Sequence, residues 1–368
     1  MNNLHNNHIN NIATNLLENG FSSTENNLII LNSQGAASKI YKILKSLFPE
    51  DNFVHLPNSE ILPYDFFSTP PSIRSERINA LSELTNQSNK TLISSIQTLM
   101  SPCSNYLHVS NINNLKLGDP FLRESVIIDL ENNGYKRTEI VTESGDYSLR
   151  GNIIDLFLSG TSQPIRLEIY DERIESIRFF DPRTQLTTKK TGEVNSLPAY
   201  EYPKDDNGAS KFQENWRINF DTFEKDSDIF NRVMNKRKAE GVEMYLPLFF
   251  STKPSILQFI NKFNNVYVDQ DTLQSANEFQ KLIENRYEEY RYDIERPLLH
   301  PKKLFTEYSE ITQLFTREQI KDFNAEYFEE DSEDLIKPEP ILKDTVKPLH
   351  TLPKEGDLVV HLSHGIGR

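Results

Sequence analysis

The sequence predicts a mixed α/β and α+β fold, a parallel-sheet α/β domain with an inserted antiparallel α+β domain. Two patterns predict it. Short apolar runs alternate with helical patterning over the first 117 or so residues, the rhythm of strand, helix, strand around a parallel sheet. From Phe121 onward the rhythm becomes one of strands separated by tight turns, and helical patterning returns after about Asp206. Composition permits several cores: 37% of the residues are apolar, with 22 Phe and 15 Tyr, in a chain of 368 residues. At ~150 residues per domain that length accommodates two to three domains.

In the first domain, residues 1–117, strands are expected at Leu28–Leu31, Asn52–Leu56 and Thr91–Ser95, with helices near Ser38–Phe48 and Pro71–Leu84 between them. The inserted domain, 118–205, opens with a helix to about Asn133 that stops at Gly134, a residue suited to the left-handed position after a helix. Strands follow at Lys136–Val141, Tyr147–Arg150, Asn152–Phe157, Pro164–Tyr170 and Arg173–Phe180, with Asp171-Glu172 as a two-residue hairpin loop. Residues 206–300 read as the second part of the α/β domain, with Phe212 and Trp216 in the core and strand-like runs at Met244–Phe250 and Asn265–Val268. Residues 301–354 read as an acidic linker, and 355–368 as the start of another domain with a strand at Asp357–Leu362.

Several functions are excluded or disfavoured. The turn after the first strand reads NSQGAASKIYK, with Gly35 alone and Lys39 following Ser38, so it lacks the G-x-x-x-x-G-K-[ST] pattern that cradles nucleotide phosphates. His361 and His364 form a close pair without Cys or carboxylate companions, which does not make a metal site. Cys103 has no His nearby in sequence and reads as a small buried side chain. No catalytic, cofactor-binding or metal-ligating residue is therefore assigned. The formal net charge of −14 is the wrong sign for binding built on phosphate neutralisation. A single cysteine, a polar Met1–Asn10 and no apolar run of about 18 residues point to a cytoplasmic protein without a membrane span.

Three phrases carry a resemblance. They are LPYDFFSTPPSIRSERINALSEL from Leu62 to Leu84, GDYSLRGNIIDLFLSGTSQPIRLEIYDERIESIRFFDPRTQ from Gly145 to Gln185, and GDLVVHLSHGIGR from Gly356 to Arg368. In this order they resemble the UvrB-like N-terminal part of the bacterial transcription-repair coupling factors, and the second is shared with UvrB itself. UvrB-like proteins insert a long aromatic β-hairpin near the position of Tyr64-Asp65, and here only a short stretch separates Asp65 from the helix bearing Arg74 and Arg77. The resemblance thus implies a degenerate helicase-like domain, without ATP or lesion chemistry, that keeps a surface for recruiting UvrA. It also implies that the chain stops just inside the RNA-polymerase-interacting domain, so polymerase binding is expected only of a complete domain. The translocase motor of the full-length family is not expected here.

Period-two alternation on Pro164–Tyr170 puts Ile165, Leu167 and Ile169 on a core face and Arg166, Glu168 and Tyr170 on the opposite, solvent face. With Asp171-Glu172 as the loop, Tyr170 is expected opposite Arg173 and Glu168 opposite Glu175. Residue by residue, the resemblance implies UvrA contact at Arg150, Arg166 and Tyr170, the last standing where the family has Phe. An alternative is a UvrB-like DNA-damage-binding module with Arg74, Arg77 and Lys90 on phosphates; the net charge counts against it.

Overall fold

The computed structural model describes residues 16, 20–85, 89–110, 113–220, 227–323, 359–361 and 365–367. The chain divides into two units, Met1–Glu326 and Tyr327–Arg368.

In the first unit, β1 (Asn27–Leu31), α1 (Gln34–Leu47), β2 (Phe53–His55), α2 (Pro71–Thr85) and β3 (Thr91–Ser95) build the expected parallel arrangement. Every residue of β1 and β3 is buried, as strands covered on both faces require. Two residues after β1, Ser33 caps α1, its hydroxyl accepting the Ala36 amide. Two short helices, α3 (Ile96–Met100) and α4 (Tyr106–Val109), lead out of this sheet.

The chain then makes β4 (Asn113–Lys116), α5 (Arg123–Asn132), β5 (Lys136–Arg137), β6 (Asp146–Arg150), β7 (Ile153–Leu156), β8 (Ile165–Tyr170), β9 (Arg173–Phe180), β10 (Thr187–Thr191) and β11 (Glu193–Ser196). Strands β5 to β10 form one sheet in sequential order, and β4 pairs with β11 in a separate ribbon. Gly134 follows α5 at φ +89°, and a Cβ there would lie 2.6 Å from the Tyr200 ring. Both the backbone angle and the close packing demand glycine.

Helices α6 (Asp206–Asn219) and α7 (Asp228–Met234) return the chain to the first domain. A 3₁₀ helix at Val242–Phe249 replaces the strand expected at Met244–Phe250. Apart from Glu243 the run VEMYLPLF is apolar, and Val242, Met244, Tyr245, Leu246, Leu248 and Phe249 are buried in an aromatic core with Phe212, Trp216 and Tyr64. Continuous hydrophobicity does not distinguish a buried strand from a buried helical turn. After α8 (Leu257–Ile260) come β12 (Asn265–Asp269), α9 (Thr272–Tyr290), α10 (Pro301–Leu304), α11 (Tyr308–Thr312) and β13 (Ile320–Phe323). The parallel sheet has the order β13-β12-β1-β3-β2. The linker expected from residue 301 is therefore corrected over 301–323: Leu304 and Ile311 are buried, and β13 pairs with β12. The acidic stretch from 324 to 346 lies outside the described residues.

In the second unit, β14 (Val359–His361) falls within the expected Asp357–Leu362 strand and pairs antiparallel with β15 (Gly365–Gly367). His364 is outside the described residues. Among those described, no helix is long and apolar enough to cross a membrane.

His55, at the end of β2, stacks on Tyr41 with ring centroids 5.3 Å apart and shares a 3.1 Å hydrogen bond with Gln34 Nε2. Burial, assisted by the Lys42 ammonium, lowers its pKa from 6.5 to about 4. The unfolded chain takes up this proton near 6.5 and the folded one only near 4, so the stabilisation is complete above pH 6.5 and is lost as the pH falls toward 4. Discounted for partial exposure, the term is about 2 kcal/mol. His55→Gln is expected to flatten the fall of Tm across this window; parallel Tm curves for the two proteins would refute it.

Candidate functional site

The β5–β10 sheet, antiparallel except for the parallel pairing of the short β5 with β6, has a core face and an outer face. Ile154, Leu156, Ile165, Leu167, Ile174 and Ile177 fill the former. On the outer face, register places Ser148, Asp155, Arg166 and Arg178 in one cross-strand row across β6, β7, β8 and β9. The next row holds Arg150, Ile153, Glu168 and Ser176. Tyr170 lies beyond them at the end of β8, opposite Arg173 as expected.

Two tight hairpins shape this end of the sheet. Arg150 pairs with Ile153 across a Gly151-Asn152 loop, with Gly151 at φ +58°. Asp171 and Glu172 connect β8 to β9 at φ 48° and 55°. Two consecutive left-handed residues match the right-handed twist of the flanking strands. A bulge then shifts the register, so that Glu168 faces Ser176 instead of the expected Glu175. The physical reason is in the core: Ile174 and Ile177 are three apart, and both reach the buried face only if one residue is inserted between them. Glu168 consequently accepts hydrogen bonds from Ser176 Oγ and Arg178 Nη2, both at 2.8 Å.

The three sequence-predicted residues have different surroundings. Tyr170 is 72% exposed. The Arg150 side chain is 50% exposed, its Nη2 lying 3.5 Å from Asp155 Oδ2. The Arg166 side chain is only 18% exposed, correcting the expectation that it projects freely into solvent. Its Nε and Nη2 donate at 2.7 and 2.9 Å to the two oxygens of Asp155, whose side chain is 2% exposed. Its Nη1 donates to the Gln185 carbonyl at 3.3 Å, and its guanidinium lies 4.8 Å from the Phe180 ring centroid. The hydrogen bond to Asp155 raises the Arg166 pKa further, so this group is a fixed cation.

The segment after β9 explains that enclosure. Asp181 accepts the amides of Arg183 and Thr184, and Gln185, at φ 61°, turns its carbonyl onto Arg166. Gln185 Nε2 also donates to the Val141 carbonyl at 3.3 Å. One part of the outer face is thus covered, while the end bearing Arg150, Ile153 and Tyr170 stays open. Sequence reasoning missed Asp155, the anion that both arginines share. Its signal was period two on β7, which places it on the arginine face.

Three guanidinium groups, from Arg150, Arg166 and Arg178, face two carboxylates, from Asp155 and Glu168. A locally cationic, preorganised face with a protruding phenol suits a partner offering a carboxylate beside an apolar slot.

The residues assigned to phosphate contact in the alternative reading are overturned at two positions. Arg74 is buried, donates to the Ala199 carbonyl at 2.8 Å and stacks 4.1 Å from the Tyr200 ring centroid. Arg77 is buried against Glu201, with Nε 2.6 Å from Oε1. Both sit on α2 and tie it to the end of the antiparallel domain. Gly160 adds a 2.9 Å bond from its amide to Ser75 Oγ.

Comparison with known proteins identifies the same region. The family model of the UvrB interaction domain matches residues 114–202. The transcription-repair-coupling factor of Haemophilus influenzae is 33% identical over 281 residues, 76% of this chain and 24% of that protein. Its Escherichia coli counterpart is 32% identical over 269 residues, 72% of this chain and 23% of that protein. The Rickettsia bellii protein is 26% identical over 310 residues, 81% and 27% of the two chains. The chain spans about a quarter of the length of these relatives.

Proposed function

This chain is a relative of the transcription-repair-coupling factors and carries a UvrB interaction domain, and on that premise we infer that it is a non-catalytic adaptor that docks UvrA through the outer face of its antiparallel sheet. Arg150 and Tyr170 supply accessible contacts, and Arg166 with Asp155 forms the ionic platform beside them. In this reading UvrA is brought to stalled RNA polymerase for nucleotide excision repair, and the chain contributes binding rather than a reaction. The observation that carries it is the open end of the sheet inside the matched domain, where an exposed phenol and a half-exposed guanidinium share one face.

Titration of UvrA against the folded chain tests the proposal. Tyr170→Ala is expected to weaken binding by about tenfold, equivalent to ~1.4 kcal/mol. Tm should barely move, since changes at exposed positions typically stay within ~0.5 kcal/mol. Equal affinity of variant and wild type would exclude Tyr170 from the interface.

A further inference from the structure

Between β4 and α5, residues 118–122 run antiparallel beside the start of β9. The Gly118 amide donates to the Ile174 carbonyl at 2.8 Å, the Ile174 amide to Asp119 at 3.1 Å and the Phe121 amide to Glu172 at 2.7 Å. These bonds make Pro120 and Arg173 a directly opposed pair without mutual hydrogen bonds, the kind whose side chains stand closest. Arg173 also pairs with Tyr170, so Tyr170, Arg173 and Pro120 form one cross-strand row, and all three are exposed. Phe121 points the other way, into the core with Ile174 and Leu167. Alternation about Phe121 returns Leu122, extended at φ −80° and ψ 100°, to the side of Pro120, where it is 57% exposed. Two side chains fix this segment. Arg173 Nη1 donates to the Gly118 carbonyl at 2.8 Å, and Arg123 Nη1 donates to the Gly151 carbonyl at 3.1 Å.

We propose that the UvrA contact continues from Tyr170 across Arg173 onto Pro120 and Leu122, with Leu122 as an anchor for an apolar slot on UvrA. This rests on the UvrA reading of the preceding section and carries the contact beyond the sheet to the start of α5. Two independent observations support it. The first is continuity: the register joins these side chains to Tyr170 in one surface, inside the residues 114–202 matched by the UvrB interaction domain. The second is the leucine's position. Leu122 is the N-cap of α5 and makes no side-chain cap hydrogen bond, at a place where Ser, Asp or Asn serve best and Leu is among the poorest residues. It neither caps the helix nor fills the core, and a local rule broken without a packing gain is the mark of a functional position. Charge does not decide the matter, because Asp171 and Glu172 stand exposed beside Arg173 on the hairpin loop. The bonds that hold 118–122 against β9 fix Leu122 before a partner arrives, so little ordering is left to oppose binding.

The full chain and its Leu122→Ser, Leu122→Met and Tyr170→Ala variants would be titrated with purified UvrA, with Tm measured on each. Leu122→Ser is expected to weaken binding by about fivefold or more. Its Tm should equal or exceed that of wild type, because serine supplies the missing cap. Leu122→Met keeps an apolar side chain of similar volume and should bind as wild type does. Loss of affinity without loss of stability is the signature of a contact residue, since a leucine that merely packed would lower Tm when polar. Wild-type affinity of Leu122→Ser alongside weakened Tyr170→Ala would overturn this extension and leave the UvrA reading intact, whereas wild-type affinity of both would overturn the two together. A fall in Tm on Leu122→Ser, weakening by Leu122→Ser but not by Tyr170→Ala, or self-association of the chain that Leu122→Ser abolishes would each overturn the extension.

Discussion

Arg77→Ala is expected to destabilise the fold by about 3–5 kcal/mol, the range for breaking a buried ion pair by removing one partner. Arg77 lies at 1% side-chain exposure and Glu201 at 9%. Its guanidinium donates twice to Glu201, at 2.6 and 3.3 Å, to the Pro57 carbonyl at 2.8 Å and to the Pro102 carbonyl at 3.2 Å. Truncation leaves a buried carboxylate with the Ser104 amide, at 3.0 Å, and opens a cavity where the guanidinium stood. Burial and the adjacent Glu201 push the Cys103 thiol well above its ordinary range, so it stays neutral and adds no second anion beside Glu201. Urea denaturation of wild type and variant measures the loss, and a change under about 1 kcal/mol would contradict the assignment. An Arg77→Met/Glu201→Leu double variant should recover part of the stability, because replacing both charges leaves no buried ion unpaired.

The same pair shows what the sequence made legible. Strands β1 and β3 and the start of α2 were readable because continuous β-branched and apolar runs, and a proline, mark them directly. The Asp171-Glu172 hairpin and the Tyr170–Arg173 pairing followed from period two on both sides of a short polar turn. The bulge did not follow, although Ile174 and Ile177 at a spacing of three announced it; counting outward from the turn assumed an unbroken ladder. Residues 301–323 were assigned to a linker because their elements are only four or five residues long, too short to show a helical period. The ionic partners were hidden for a different reason. Arg77 and Glu201 are 124 positions apart, and Arg166 meets Asp155 across a register that only the folded sheet defines. Alternation located Arg166 on the right face, but its enclosure depends on the loop that places the Gln185 carbonyl over it.

That enclosure makes Arg166→Ala the most informative change at the docking face. UvrA binding is expected to weaken at least about tenfold, within the ~2–5 kcal/mol typical of truncating one member of a desolvated interfacial charge pair. The fold should also lose about 2–3 kcal/mol, less than for a fully buried pair because Arg150 remains near Asp155 and the guanidinium edge reaches solvent. Stability and affinity must therefore be measured together, with Tm establishing that the titrated protein is folded. Arg166→Lys keeps the charge but cannot make the two parallel bonds now measured at 2.7 and 2.9 Å, so its affinity should fall between those of wild type and Ala. Asp155→Asn separates two ways in which the pair could act. If Asp155 positions Arg166 and Arg150 for UvrA, Asp155→Asn weakens binding, and in the double variant with Arg166→Ala the losses are not additive, with a coupling of about 1–2 kcal/mol. If Arg166→Ala and Asp155→Asn both lower Tm yet bind UvrA as wild type does, the pair is a strut of the sheet, and docking belongs to Arg150 and Tyr170 without it.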